Sequence, residues 1–324
     1  MAGNVVKKNI AEIADMLSLK QKNNQNMVLF LGSRAGGLFR SQDFIETMKK
    51  YSKRNFDLLS REGQFAECFN VLKQKNFNDN NIHALLTEFL KPVTFSESDI
   101  YLAEFIKRGA FDVIITANID SLLENALVYV GMKDFYDFVI RVPGDVPIKT
   151  DKMPARLVIK VFGDIYSRGY NVTKRDFYLD YWPDLKFLLE QTLTREVLVI
   201  GFDPTWDAEV LRVFTDDEQE NFLWLVTEEE ALIKHTLVSR TLRRRQTGYL
   251  AGKIGGYEQF LKALYVYLYD KMPAHHQLMH EIRASLELLH SEVKSLHHDV
   301  QALRKEFSVA QKKLNPYSDN SDQE

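Results

Sequence analysis

The chain has 324 residues, a formal net charge of −3 and 45% apolar residues, enough for one large core or two small ones. The near-neutral balance weighs against nucleic acid as a direct main partner, since phosphate contacts demand a basic surface. No run of about 18 apolar residues marks a membrane span, Met1–Lys20 lacks the apolar core of a signal peptide, and the single cysteine, Cys68, leaves no internal disulfide and fits a reducing cytoplasm.

Val5, Ile10, Ile13, Met16 and Leu17 recur at helical spacing and predict an opening amphipathic helix within residues 1–25. Met27–Leu31 is a short apolar run ending at Gly32, the pattern of a strand buried on both faces. Residues 41–108 read as mostly helical, with breaks near Lys53-Arg54 and at Asn76 to Asn81. A second buried strand is expected over Phe111–Thr116, followed by a helix over Ser121–Val130. Arg156–Val161 is a third, Val197–Ile200 a fourth and Asn221–Val226 a fifth, with a helix over Asp176–Leu193 between the third and fourth. Buried strands alternating with helices mean crossover units, hence an α/β fold on a parallel sheet. Arg240, Arg243, Arg244 and Arg245 read as a solvated basic face.

The last segment has another period. Met279, Ile282, Leu286, Leu289, Val293, Leu296, Val300, Leu303, Phe307, Ala310 and Leu314 alternate in steps of three and four. That is a heptad repeat of about five heptads, a coiled coil over residues 273–314 and a homo-oligomer through 279–314. β-Branched Val293 and Val300 at a, with Leu289, Leu296 and Leu303 at d, favour a parallel dimer, and Asp299 at g is placed to pair with Arg304 at e of the partner helix. Residues 315–324 are polar and read as a disordered tail.

Four strand ends carry the chemistry. Leu29-Phe30-Leu31-Gly32-Ser33-Arg34-Ala35-Gly36 resembles the glycine-rich loop of sirtuins, and Thr116-Ala117-Asn118-Ile119-Asp120 resembles their T-Q-N-I-D motif. Lys160-Val161-Phe162-Gly163-Asp164 is similar to K-L-H-G-D. Val199-Ile200-Gly201-Phe202-Asp203 is similar to the strand ending in G-[YF]-S, with Asp207 at the Asp of the bacterial S-x-x-D. Order and spacing of the set cover about residues 25–270, and the lack of a four-cysteine module resembles the zinc-free bacterial branch, whose members hydrolyse NAD in antiphage defence. The resemblance implies a Rossmann-like domain over residues 26–272. It also implies NAD or ADP-ribose as ligand, no metal, and a defence complex in which a second protein subunit takes part.

In that reading Gly32, Ser33 and Arg34 hold the pyrophosphate, since N–H groups in a strand-to-helix turn attract anions. Thr116, Asn118 and Asp120 face the nucleotide. Asn118 would orient the ribose hydroxyls or a water and Asp120 would hold the nicotinamide amide, making these two the catalytic candidates. Phe162, Gly163, Asp164, Gly201 and Asp203 complete the lining. Three positions depart from the family pattern. Arg34 replaces a loop glycine, Asp203 replaces a serine, and Phe162 stands where a histidine acts as general base. Losing such a base costs about 10²–10⁴-fold in rate, and the histidines outside the tail, His83 and His235, lie in none of the motifs. The expectation is a degenerate sirtuin-like subunit, nucleotide-binding or scaffold, with weak or absent NAD hydrolysis. The alternatives are an active NAD hydrolase using Asn118 and an interaction module without ligand.

Overall fold

The computed structural model describes residues 5–74, 79–145, 155–167, 169–173, 175, 178–215 and 222–269, with scattered positions between 285 and 304. Residues 1–271 make one compact unit and residues 272–324 a second.

The first unit begins with strand β1 (Val5–Lys7), not with a helix. Helix α1 (Ile10–Lys22) starts one turn later, where Asn9 accepts from Glu12 N and Glu12 reaches back to Asn9 N. That reciprocal capping box fixes the start. Helix α1 is built into the domain core through Ile13, Ala14 and Leu17, so the opening segment is no separate element.

Then come β2 (Met27–Leu31), the short α2 (Gly37–Arg40), α3 (Gln42–Lys49), α4 (Arg61–Gln74), α5 (Asp79–Leu90) and α6 (Glu97–Lys107). They are followed by β3 (Phe111–Thr116), α7 (Leu122–Tyr129), β4 (Val139–Arg141), β5 (Leu157–Lys160) and a two-strand ribbon of β6 (Gly163–Asp164) with β7 (Gly169–Tyr170). The remainder is α8 (Pro183–Leu193), β8 (Val197–Ile200), α9 (Ala208–Thr215), β9 (Leu223–Thr227), α10 (Thr236–Arg243), β10 (Thr247–Ala251) and α11 (Tyr257–Tyr269). The helix expected from Asp176 begins at Pro183, after a 3₁₀ turn over Tyr178–Tyr181.

Eight strands form one sheet in the order β1-β10-β9-β8-β2-β3-β5-β4, and every pairing is parallel. Helices cover both faces, so each central strand is apolar on both sides. In β2, Val28 and Phe30 join one core, while Met27, Leu29 and Leu31 join the other, as the two-residue period of a strand requires. The chain leaves β2 for β3 on one side and returns through β8 on the other. The carboxyl end of β2 is therefore a topological switch point, where parallel sheets open a crevice. The turns after β2, β3, β5, β8 and β9 all meet there. Among the described residues, no helix is long and apolar enough to cross a membrane.

Of the basic cluster, Arg240, Arg243 and Arg244 are exposed, but Arg245 is buried. Its Nη2 donates to Leu193 O and its guanidinium lies over Phe214, which corrects the expectation of one solvated face. In the second unit each described residue is helical and exposed. Met279, Ile282, Leu286, Asp299, Leu303, Phe307, Ala310, Leu314 and the tail 315–324 lie outside the described residues.

Candidate functional site

The glycine-rich turn after β2 folds as a 3₁₀ turn, Ser33–Ala35, leading into α2. Each N–H from Gly32 to Gly37 has a protein acceptor. Gly32 N donates to Ile200 O, Arg34 N to Gly201 O, Ala35 N to Gly32 O and Gly36 N to Ser33 O, at 2.9–3.3 Å. The remaining two donate to carboxylates. Ser33 N meets Asp207 Oδ2 at 2.9 Å and Gly37 N meets Asp120 Oδ2 at 2.8 Å. The donors that would hold an anion thus already hold two, both belonging to the protein. The glycines serve packing: a Cβ on Gly36 would lie 2.0 Å from Asn118 Oδ1, and one on Gly32 would lie 2.4 Å from Gly201 O.

Asn118 turns inward. Its Nδ2 donates to Gly32 O and to Thr116 Oγ1, each at 3.1 Å, so it ties the β3 turn to the β2 turn. Asp120 also receives Leu122 N at 3.2 Å, at the start of α7.

Phe162 is fully buried, with its ring centroid 3.8 Å from the guanidinium carbon of Arg175. Arg175 is the residue that sequence reasoning missed. It enters from the loop after β7, is 3% exposed, and donates to Ser33 Oγ at 3.3 Å and Trp206 O at 2.9 Å. Burial pushes its pKa down to about 10, opposed by Asp207 and Asp203. The aromatic face thus offsets part of the cost of a buried cation. Phe162 and Arg175 together fill the space beneath the glycine-rich turn.

Arg34 is engaged by two carboxylates of the protein. Its Nε donates to Asp203 Oδ2 at 2.9 Å and its Nη1 to Glu229 Oε2 at 3.0 Å, joining the turns after β2, β8 and β9. Burial works against its charge, yet Asp203 and Glu229 hold its pKa above the usual range. Asp203 caps the turn before α9 by accepting Thr205 N and Trp206 N. Asp207 accepts Ser33 N, Ser33 Oγ and Asp203 N. Its full burial and the neighbouring Asp203 push its pKa up to about 6.

Gly163 and Asp164 serve the ribbon. Gly163 has φ +84°, and a Cβ there would lie 1.8 Å from Gly169 O. Asp164 pairs with buried Lys160, whose Nζ also donates to Glu124 Oε1 at 2.7 Å and Asp120 O at 2.6 Å. Burial opposes the ammonium, but Glu124 and Asp164 outweigh it and hold its pKa above the usual range. His83, outside the motifs, is half-buried with Nδ1 3.3 Å from Tyr170 OH.

Among the described residues, a cavity of about 20 Å³ is bounded by Gly36, Asp99, Asn118, Asp120, Glu124 and Tyr257, the size of one water. Its lining is acidic. Asp99 is held by Arg40 and by Tyr257 OH at 2.7 Å, and Arg40 Nη2 donates onward to Ala35 O at 2.7 Å. Among the described residues, no group of three or more His, Cys, Asp or Glu is arranged to hold a metal.

As folded, the turn leaves a pyrophosphate no unoccupied N–H from Gly32 to Gly37. Entering the turn, it would displace or face Asp207 and Asp120. Two unit charges of like sign about 4 Å apart repel by about 4 kcal/mol at an effective dielectric of 20, more than the roughly 1.5–3 kcal/mol of a hydrogen bond to a charged group.

No family model matches the chain, and no curated protein matches it. Among solved structures, one described as bearing on the mechanism and regulation of Sir2 enzymes is similar to it at 15% identity and a TM-score of 0.35. The likeness covers 80% of this chain and 96% of that one. Those values leave function to the geometry of the site.

Proposed function

We propose that this chain is a sirtuin-like α/β domain that does not turn over NAD and works as a scaffold subunit. The observation that carries this reading is the filled glycine-rich turn: Asp207 and Asp120 take the N–H groups that a phosphate would need. Phe162, buried under Arg175, supports it, because the residue at the position of the family's histidine is an apolar ring that accepts no proton. The acidic lining of the residual cavity supports it too.

Purified full-length protein incubated with millimolar NAD should release no nicotinamide above the buffer control. Turnover of about one per second or faster, within the ordinary enzyme range, would overturn the reading. One observation favours a second reading, NAD or ADP-ribose held without turnover. The link from Arg34 to Glu229 ends on a carboxylate side chain that is 35% exposed, the part of the lattice most easily opened by a competing phosphate. In that case millimolar ADP-ribose raises the melting temperature by mass action, and Arg34→Ala removes the shift.

A further inference from the structure

The second unit presents an uncovered apolar row. Leu289, Val293, Leu296 and Val300 are helical and 55%, 61%, 64% and 47% exposed. Their spacing of four, three and four puts them on one side of a helix, as successive d and a positions of a heptad. The rows flanking that seam differ in charge. Among the described residues, the e positions carry His290, His297 and Arg304, whereas g carries Glu292 after Ser285. In a parallel, in-register pair each g residue faces the e residue five positions later on the other helix. Glu292 then meets His297, and the apolar rows close on each other. An antiparallel pair would set e against e and g against g, like charge against like.

We propose that this face docks the same face of a second copy of the chain, parallel and in register, and that the pairing tightens as pH falls because His297 lies opposite Glu292 of the second copy. Histidine is the side chain that gains charge between pH 8 and 5. On its own helix His297 sees Lys294 one turn before and Gln301 one turn after, with Gln301 Nε2 2.9 Å from the imidazole Nε2. Across the seam it sees Glu292. Lys294 is a constant cation on the outer side of the helix, while the pairing brings in a carboxylate that the single helix lacks at that place. His290 faces Ser285 of the second copy, which brings it no carboxylate. Two-fold symmetry makes the His297–Glu292 contact occur twice. At the strength of exposed ion pairs, the two together tighten the dimer about fivefold between pH 8 and pH 6. The pairing stands independently of what the crevice of the first unit binds.

Sedimentation velocity on the full-length protein over a concentration series at pH 8 and pH 6 tests this. The expected result is a dimer at both, with a dissociation constant about fivefold lower at pH 6. Glu292→Gln should still dimerise at pH 8 and should lose the pH response. Val293→Asp with Val300→Asp should give monomer, with the melting of the first unit unchanged. Orientation is read separately: Cys68 is buried, so oxidised L289C should cross-link between copies, since parallel in-register helices bring the two 289 positions together, whereas an antiparallel pair centred on residues 279–314 sets 289 against 304. A wild-type monomer at tens of micromolar, as a helix folded back on its own chain would give, overturns the proposal. So does a dimer in which L289C does not cross-link, or a pH response that survives Glu292→Gln.

Discussion

The first unit contains two glycine-rich turns of the same build. After β2 the chain runs Gly32-Ser33-Arg34-Ala35-Gly36 through a 3₁₀ turn into α2, and after β10 it runs Gly252-Lys253-Ile254-Gly255-Gly256 through a 3₁₀ turn into α11. The first is buried and locked by carboxylates from the turns after β3 and β8. In the second, Lys253 and Ile254 are exposed, and the neighbouring carboxylate, Glu228, lies on the surface. The reasons for glycine differ as well. Gly36 is small because Asn118 presses on it, whereas Gly252 has φ +99° with nothing within 4 Å of an added Cβ. A glycine-rich turn after a parallel strand is thus a way of turning into a helix, and the charges facing it decide whether an anion can enter.

Replacing the carboxylate of each turn should separate them most. Asp207→Ala orphans Ser33 N and Asp203 N, takes the acceptor from the Ser33 hydroxyl and leaves Arg175 buried without its nearest anion. Breaking such a buried pair costs about 3–5 kcal/mol, to be read as a lower denaturation midpoint in urea. Glu228→Ala in the exposed turn should change stability by less than about 0.5 kcal/mol. Equal losses at both sites would break the comparison.

Gly36→Ala comes next. The new methyl must drive Asn118 off Gly32 O and Thr116 Oγ1, an overpacking loss of about 3 kcal/mol. Gly252→Ala meets no atoms and carries backbone strain alone, about 1–2 kcal/mol. Thermal melts of the two variants should fall in that order.

The smallest effect concerns pH. Asp207 has a pKa pushed up to about 6 in the folded protein by burial and by Asp203, against about 3.9 for an unfolded aspartate. A group with a raised folded pKa binds protons more tightly when folded. Its contribution is absent near pH 7 and grows as pH falls through 6 toward 4, giving about 1 kcal/mol between pH 7 and 5. Asp207→Asn should flatten that part of the stability profile. A wild-type protein that loses stability over this range while the variant does not would reverse the assignment.

Strands β2, β3 and β8 are legible from the sequence at their observed bounds because a strand buried on both faces is an unbroken apolar run. Strand β10, Thr-Gly-Tyr-Leu-Ala, carries no such run and goes unread. Strand β1 is mistaken for helix because Val5 sits at helical spacing from Ile13 and Met16, although Asn9 and Glu12 spell the capping box that marks the true start. The site is legible as a place, since Gly32, Asn118, Phe162 and Asp203 all follow strands of one parallel sheet. Its contents are not. They depend on Arg175, from a polar stretch with no period, and on Asp207 reaching across to Ser33, contacts that no local pattern encodes.

The pairing of β1 with β10 governs how the protein is made. Val5 lies against Thr247 and Lys7 against Tyr249. Translation proceeds at about 5–20 residues per second, so β1 leaves the ribosome on the order of ten seconds or more before its neighbour exists. Throughout that interval the amino-terminal strand is an unpaired edge among other nascent chains. It is only three residues long and ends at Lys7-Lys8, and short length and lysine charge are what keep a waiting edge from pairing with the wrong chain.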